Sequence, residues 1–255
     1  MASPNTSIKS ATREFAAPRR TYVLVHGAYH GGWCWKEVAS ILRSKGHVVY
    51  TPTLTGLGER SHLIDCRPTL EVMIKDVEQV FFYEELEDVI LVGHSFAGSI
   101  VSALADRMPE RLRHLVYLDA QVLESGQAPL DAVPPSIREK YLQRARDCNS
   151  TGHAVPPGDP ETFGINDPSL VERVRGLLTP HPFGAYFDKL MLNHPLGNGV
   201  SATYVVCTSP LHPNTSHSRN VAKAQPGWDY VELAAGHDAM LTRPSEVARL
   251  IEQVS

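Results

Sequence analysis

The sequence reads Asp88-Val-Ile-Leu-Val-Gly-His-Ser-Phe-Ala-Gly-Ser99 where a short apolar run gives way to a longer run with helical periodicity. Residues 89–92 are continuously apolar and rich in β-branched side chains, which is typical of a parallel strand covered on both faces. Across residues 96–108, apolar residues recur at the spacing of one helix face. Ser95 is therefore predicted to lie at a sharp turn between a buried strand and a helix.

The residues around Ser95 fit a nucleophile elbow. Such a turn brings strand and helix close together, so small residues are needed two positions before and two positions after the nucleophile. Gly93 meets this requirement, Ala97 replaces the usual second glycine, and Gly98 follows it. We interpret Ala97 as tolerated; the alternative is a small-residue junction that carries an incidental serine.

Length and composition predict one large α/β domain. The chain has 255 residues, of which 42% are hydrophobic and 20% charged, the balance of an ordinary globular protein. The net charge of −4 offers no basic surface for nucleic acid or for an anionic membrane. The sequence contains no apolar run of the roughly 18 residues that a membrane-spanning helix needs.

The cysteines and histidines indicate neither disulfides nor a metal site. Four cysteines, at positions 34, 66, 148 and 207, form no CxxC pair, so we expect reduced thiols and a cytoplasmic location. The twelve histidines form no HExxH motif, and His26 and His30 are four apart in a glycine-rich loop. We therefore expect no bound metal.

Two segments depart from the alternation of strand and helix. Residues 1–20 are polar and lack the apolar core of a secretory signal; we interpret them as a disordered tail, with an organellar transit peptide as the alternative. Residues 121 to about 200 contain ten prolines between short amphipathic pieces at 137–146 and 170–178. Because regular α/β pattern resumes afterwards, we predict a lid inserted into the 21–255 domain, and a separate mini-domain is the alternative.

The rest of the chain alternates between strand and helix. Besides 89–92, the predicted strands are 22–25, 47–50, 114–119, 203–207 and 229–233. Helices are predicted at 33–45, from an N-cap at Thr69 to about residue 83, and at 244–254. The carboxyl ends of parallel strands meet at one edge of a sheet, which is where ligands bind in such folds.

His237 is the candidate general base for Ser95. A serine hydroxyl is a weak nucleophile until a base removes its proton, and imidazole does this near neutral pH. His237 lies in the loop Ala234-Ala-Gly-His-Asp-Ala-Met240, directly after the last predicted strand. Parallel strands would place it at the same edge as Ser95. Without the elbow, a surface or helix-capping histidine would be the favoured interpretation.

Asp119 is the candidate carboxylate that orients His237. No carboxylate occurs in the loop after the penultimate strand, which reads Cys207-Thr-Ser-Pro-Leu-His-Pro213. Asp119 ends the strand that follows the helix of Ser95, and adjacent parallel strands lie only about 4.8 Å apart. A buried carboxylate also needs a partner; the alternative is a residue that caps the first turn of the inserted segment.

Three other carboxylates are alternatives for the same role. Glu124, a few residues into the inserted segment, is the reserve. Asp238 adjoins His237 in sequence, so its side chain should point elsewhere, and Asp229 begins a strand at the opposite edge. The oxyanion hole is assigned, by position, to the backbone N–H groups of Ala28 and Phe96.

Three segments, in this order, carry a family resemblance: Val25-His-Gly-Ala-Tyr-His-Gly-Gly-Trp33, Gly93-His-Ser-Phe-Ala-Gly98 and Gly236-His-Asp-Ala-Met240. With them the chain resembles the α/β-hydrolases, and specifically the branch that contains plant methylesterases, hydroxynitrile lyases and many bacterial carboxylesterases. The resemblance covers the chain from about residue 21 onward. It implies a mostly parallel eight-stranded sheet with helices on both faces and a helical lid.

The sequence departs from the pattern of this branch at several positions. The plant members carry Asp where Ser209 falls, and the spacing of Asp119 resembles haloalkane dehalogenases, whose Asp nucleophile is replaced here by Ser95. Hydroxynitrile lyases carry Thr and Lys where Gly27 and Asp238 stand. Dehalogenation and cyanohydrin cleavage are both disfavoured.

We therefore expect a serine esterase that cleaves a small carboxylic ester without a cofactor. A lactonase, an amidase or a carbon–carbon bond hydrolase would use the same residues, and a ligand-binding protein that kept the fold is the non-enzymatic alternative. We expect Trp33, Phe183, Tyr186 and Phe187 to line an apolar pocket, which favours an aromatic or alicyclic ester, although such residues are often plain core. The expected partner is a small molecule, and the oligomeric state is open between monomer and homodimer.

Overall fold

The computed structural model of the protein describes residues 18–147 and 153–254. Most of the predicted tail, residues 1–17, lies outside the described residues, as does Cys148. Residues 18–20 lead directly into the first strand.

Six parallel strands form the main sheet. In chain order, the described strands are β1 (Thr21–Val25), β2 (Val48–Tyr50), β3 (Val89–His94), β4 (Leu112–Leu118), β5 (Ala154–Val155), β6 (His181–Pro182), β7 (Ala202–Cys207) and β8 (Asp229–Leu233). The sheet order is β2-β1-β3-β4-β7-β8, and β5 pairs with β6 in a separate antiparallel ribbon. All neighbouring pairs in the main sheet are parallel.

The fold class is confirmed, but the expected number of strands in the main sheet is wrong. Eight were expected from the family resemblance, and across residues 18–147 and 153–254 the main sheet has six. The two remaining strands, β5 and β6, are two residues each and pair with each other in the inserted segment, so they add nothing to the main sheet.

Helices cover both faces of the sheet because each presents one apolar face. They are α1 (Lys36–Ser44), α2 (Leu70–Tyr83), α3 (Gly98–Arg107), α4 (Pro135–Asp147), α5 (Pro168–Arg175), α6 (Ser216–Ala224), α7 (Ala239–Thr242) and α8 (Pro244–Gln253). One core cluster joins the sheet to α2, α3 and α6. A second cluster joins its other face to α1, α7 and α8.

The inserted segment contains α4, α5 and the β5–β6 ribbon, and it lies in the chain between β4 and β7. These two strands are neighbours in the sheet. The segment therefore leaves the sheet at the carboxyl end of β4 and returns to the adjacent position.

Cys34, Cys66 and Cys207 are free thiols, as predicted. Cys34 and Cys207 are buried, whereas Cys66 is exposed. Among the helices described, none is both long enough and apolar enough to cross a membrane.

Candidate active site

Ser95 occupies a strained turn between β3 and α3. Its φ of 53° lies in the left-handed region, which costs free energy for a residue with a side chain and persists where the surroundings enforce it. A Cβ on Gly93 would lie 2.5 Å from Val101 Cγ2 and 2.9 Å from the carbonyl oxygen of Ala97. The elbow therefore requires Gly93, whereas Ala97 is accommodated and fully buried.

His237 connects Ser95 to Asp119. The Nε2 atom of His237 lies 2.9 Å from Ser95 Oγ, and its Nδ1 atom lies 2.6 Å from Asp119 Oδ2. A carboxylate only accepts hydrogen bonds, so the imidazole proton resides on Nδ1 and the lone pair of Nε2 faces the serine hydroxyl. His237 is 3% exposed and Asp119 is fully buried.

Asp119 is held rigidly at the end of β4. Its backbone N–H donates to the carbonyl of Val205 at 2.7 Å, and its Oδ1 accepts from Thr215 Oγ1 at 3.1 Å. Its own φ is 41°, a second left-handed residue at the carboxyl edge of the sheet. Both carboxylate oxygens thus have a donor, with His237 on one and Thr215 on the other.

The competing carboxylates lie elsewhere. Glu124 is exposed and its hydrogen-bond partner is Gln127, at 3.2 Å. Asp229 is exposed at the start of β8. Asp238 is fully buried, and its Oδ2 lies 3.1 Å from Nε2 of His30, whereas the Nδ1 atom of His237 pairs with Asp119.

The loop after β1 passes directly against Ser95. A Cβ on Gly27 would lie 2.8 Å from Ser95 Cβ, so only glycine permits this approach. Ala28 and Phe96 both line the cavity beside Ser95, where their backbone N–H groups were assigned to the oxyanion hole.

His26 fixes the conformation of the same loop. Its Nδ1–H donates to Gly27 O at 2.8 Å, and its Nε2 accepts from the backbone N–H of Leu54 at 3.0 Å. One donor and one acceptor describe a neutral ring, and burial lowers the pKa of His26 to about 3. His26 is therefore a structural anchor for the residues that face Ser95.

A small cavity of about 30 Å³ lies beside Ser95. Its remaining lining comes from the loops at the carboxyl edge and from the inserted segment: Ala28, Tyr29, His30, His94, Phe96, Gln121, Val133, Tyr141, Phe163, Tyr186, His212, Asn214, Thr215 and His237. Of the four aromatic residues expected to line the pocket, the structure places Tyr186 there.

Trp33, Phe183 and Phe187 lie outside the lining of this cavity. Trp33 stacks on His30 with a centroid distance of 5.4 Å, and Phe183 packs edge-to-face on the partly exposed Phe187. Outside long helices and strands, the spacing of residues in the sequence does not determine which way their side chains point, so these pocket predictions were wrong. Tyr29, Tyr141 and Phe163 line the cavity instead.

A larger cavity of about 260 Å³ adjoins the first. The two share five lining residues: Tyr29, Tyr141, Phe163, His212 and Asn214. The outer cavity is otherwise lined by apolar groups such as Ile137 and Pro213, with Lys140 and Arg144 contributing charge.

His212 is a site residue that sequence reasoning missed. Its ring stacks on the ring of His237 with centroids 3.9 Å apart and an interplanar angle of 18°. Burial, together with the charge of His237, lowers the pKa of His212 to about 2. His212 therefore presents a neutral ring to His237, and the signal that could have found it is its position in the loop after β7.

The pair formed by His30 and Asp238 was also missed. Asp238 also lies near two other histidines: atoms of His94, His237 and Asp238 that could ligate a metal ion are within 4.8 Å of one another. His94 Nε2–H donates to the backbone carbonyl of His237 at 3.0 Å, and Asp238 Oδ2 pairs with His30. Among the described residues, His94 Nδ1 and Asp238 Oδ1 have no hydrogen-bond partner. The sequence signal for the pair was Asp238 itself, because it is the one carboxylate in the loop Ala234-Ala-Gly-His-Asp-Ala-Met240.

Comparison with known proteins gives a consistent result. A model of the alpha/beta hydrolase family matches residues 22–250. The carbendazim hydrolyzing esterase of Nocardioides sp. (strain SG-4G) is 37% identical over 236 residues, covering 89% of this chain and 96% of that protein. Methyl jasmonate esterase 1 of Vitis vinifera is 36% identical, covering 92% and 96% respectively.

Solved structures show the same architecture. An extracellular alpha/beta-hydrolase from a Paenibacillus species superposes with a TM-score of 0.79 at 25% identity, covering 92% of this chain and 99% of that chain. Several putative chloroplastic methylesterases of Arabidopsis thaliana are longer, and the chain spans 60% to 63% of their length.

Proposed function

The chain belongs to the alpha/beta hydrolase family, and we propose that it is a serine esterase that cleaves small carboxylic esters through an acyl-enzyme intermediate. One observation carries the proposal: His237 lies within hydrogen-bond distance of both Ser95 Oγ and Asp119 Oδ2. This arrangement can remove a proton from a serine and stabilise the resulting imidazolium. The esterase relatives support the same reaction class.

Acylation follows from this geometry. Ser95 Oγ attacks the ester carbonyl carbon while its proton passes to Nε2 of His237, 2.9 Å away. The carbonyl oxygen becomes an oxyanion that accepts hydrogen bonds from the backbone N–H groups of Ala28 and Phe96, each worth roughly 3 kcal/mol. When the tetrahedral intermediate collapses, His237 returns its proton to the departing alcohol.

Deacylation reverses the roles with water. His237 Nε2 takes a proton from a water molecule, whose oxygen attacks the acyl carbon bound to Ser95. The second tetrahedral intermediate releases the carboxylic acid, and Ser95 regains its proton from His237. Asp119 keeps the imidazole in the correct tautomer through both steps, since it accepts from Nδ1 at 2.6 Å.

The two cavities support a division of the substrate. A cavity of about 30 Å³ beside Ser95 leaves room for little more than the reacting carbonyl group of the ester. The adjoining cavity of about 260 Å³ has room for a larger apolar or aromatic portion. The segment at residues 121–200 supplies Tyr141, Phe163 and Tyr186 to the cavity beside Ser95, and we propose that it acts as the lid.

We also propose a cytoplasmic location. Cys66 is an exposed free thiol, and exposed thiols persist in a reducing compartment. Cell fractionation with an antibody against the native chain tests this proposal; recovery of the protein in the secreted fraction would contradict it.

Labelling with a fluorophosphonate tests the reaction class. We expect one adduct per chain in the wild-type protein and none in Ser95→Ala, because the reagent modifies a serine that its base has activated. A native protein that remains unlabelled would instead support a ligand-binding role.

A substrate panel then identifies the bond that is cleaved. Methyl and aryl esters, a lactone, an anilide and mandelonitrile would be compared at equal concentration. We expect the esters to be turned over fastest, and preferential cleavage of the anilide, the lactone or mandelonitrile would move the assignment to that class.

A further inference from the structure

Asp238 is a buried carboxylate for which the proposed reaction gives no role. It is fully buried, and a buried charge without a partner is costly. Its Oδ2 lies 3.1 Å from Nε2 of His30, while its Oδ1 lies 3.7 Å from Nε2 of His94. Asp238 thus faces the loop after β1 and the residue that precedes Ser95.

His30 extends this contact to the candidate oxyanion hole. Its Nδ1 lies 2.8 Å from the backbone carbonyl of Ala28. A carbonyl oxygen only accepts, so Nδ1 carries a hydrogen, while Nε2 faces the Asp238 carboxylate. Burial opposes protonation of His30, but the charge and hydrogen bond of Asp238 outweigh it and raise the His30 pKa. An imidazolium can therefore donate to Ala28 and to Asp238 at once.

The same carboxylate belongs to the loop that carries the base. Asp238 directly follows His237, whose backbone carbonyl accepts from Nε2–H of His94 at 3.0 Å. Burial and the neighbouring His237 hold the pKa of His94 well below its usual value, so His94 is a neutral donor. Contacts of His30, His94 and Asp238 therefore join the three loops that carry Ala28, Ser95 and His237.

We propose that the His30–Asp238 ion pair is a positioning pair that aligns the Ala28 backbone N–H with Ser95 and His237. The pair touches neither the serine hydroxyl nor the imidazole of His237. Through His30, the pair links the backbone carbonyl of Ala28 to Asp238, which directly follows His237. The Ala28 backbone N–H and the imidazole of His237 are thereby held at a fixed relative position. Its loss should slow attack on the acyl group more than it weakens substrate binding.

The test uses the rate at which a fluorophosphonate modifies Ser95. The initial labelling rate is divided by the final number of adducts per chain. The resulting rate constant describes competent molecules only, so a fraction of unfolded protein does not change it. We expect Asp238→Asn and His30→Gln to be labelled roughly 10- to 100-fold more slowly, less than the loss expected when an oxyanion donor is removed outright. With an aryl ester, kcat should fall similarly while KM stays within about threefold.

Asp106→Asn is the matched control. Asp106 is also a buried carboxylate with a histidine partner, lying 3.0 Å from Nδ1 of His194, but it is in the last turn of α3. Its replacement should lower the temperature of unfolding and leave the labelling rate constant of competent molecules unchanged.

The double variant His30→Gln/Asp238→Asn tests whether the two residues act as a pair. Residues that act as a unit give non-additive losses, so we expect the double variant to be slowed by about the same factor as each single variant. Losses that multiply, or single variants labelled at the wild-type rate, would overturn the inference.

The inference rests on the proposed function only through the reactivity of Ser95. A wild-type protein that is labelled but hydrolyses no ester would overturn the ester assignment, and the labelling rates would still decide the role of the pair. A wild-type protein that is not labelled would overturn both.

Discussion

At the scale of single residues, the site depends on the partners of the two ring nitrogens of His237. Its Nδ1 is committed to Asp119 at 2.6 Å and its Nε2 to Ser95 at 2.9 Å. His212 stacks on one face of the ring at 3.9 Å, which excludes solvent from that face. The imidazole thus has one tautomer and one orientation in which it can accept the proton of Ser95.

Replacing Asp119 by Asn should lower kcat by about 10³- to 10⁴-fold, because an amide can stabilise the wrong imidazole tautomer and carries no charge to balance the imidazolium. Steady-state kinetics with an aryl ester measures this. The control is Glu124→Gln, since Glu124 is exposed and bonded to Gln127, and it should match the wild type. A larger loss in Glu124→Gln than in Asp119→Asn would contradict the assignment.

Sequence reasoning could find residues whose position follows from strand ends. Ser95, Asp119 and His237 each follow a recognisable strand, so their convergence could be predicted from parallel topology alone. The contact between His30 and Asp238 joins positions 208 residues apart and depends on side-chain directions in two loops. That contact is a property of tertiary packing, which periodicity does not encode.

At the scale of elements, the junction of β3 with α3 is packed against the chain that follows β4. A Cβ on Gly98 would lie 1.9 Å from the backbone carbonyl oxygen of Gln121. In return, the backbone N–H of Gln121 donates to the carbonyl of Ser95 at 2.8 Å. The elbow and the start of the inserted segment therefore fix one another.

Gly98→Ala should lower the free energy of unfolding by more than about 2 kcal/mol, since its methyl group meets backbone rather than a flexible side chain. Thermal unfolding measures this. Gly184→Ala is the control, because a Cβ there meets nothing within 4 Å. Equal unfolding temperatures for the two variants would contradict the close approach at the elbow.

Element boundaries were predicted well where a local signal exists. The side chain of Thr69 accepts from the backbone N–H of Val72 at 3.2 Å and starts α2 as expected. The helix predicted from residue 33 begins instead with a 3-10 turn, and α1 starts at Lys36. In the inserted segment, amphipathic spacing indicated the helices. It did not indicate how these helices pack on the rest of the domain, so the cavity lining could not be predicted.

At the scale of the whole molecule, several histidines are buried as neutral rings. Burial lowers the pKa of His26 and of His181 to about 3, and burial with the charge of His237 lowers that of His212 to about 2. In the unfolded chain these rings take up protons near pH 6.5. Between pH 6.5 and about 3 the unfolded state therefore binds more protons, and the folded state loses stability as pH falls.

We expect the free energy of unfolding to decrease as pH is lowered through this window. Each such ring contributes about 1.4 kcal/mol per pH unit below 6.5, so three rings at pH 5.5 contribute roughly 4 kcal/mol, or a fall of about 10 °C in Tm. His30, whose pKa is raised, works in the opposite direction, because its contribution is present at low pH and lost as pH rises.

Calorimetry across pH 5 to 8 measures the slope. His181→Leu should show a shallower dependence, since it removes one of the buried rings with a lowered pKa, whereas the exposed His62→Gln should retain the wild-type slope. A Tm that is flat or rises between pH 7 and pH 5 would contradict the buried neutral state.

The overall architecture was predictable because binary patterning and strand-to-helix alternation suffice for a parallel sheet covered on both faces. The number of strands in the sheet was not, since the family pattern implied eight while the described residues contribute six. What the topology does guarantee is that loops after β3, β4 and β8 meet at one edge, where Ser95, Asp119 and His237 are found.

The most direct measurement of the central claim is acid quenching of the protein during turnover of 4-nitrophenyl acetate, followed by peptide mapping by mass spectrometry. The account predicts a transient acetyl group on the peptide that contains Ser95, and neither acetylation nor turnover in Ser95→Ala. An acetyl group on another residue, or undiminished turnover in Ser95→Ala, would contradict it.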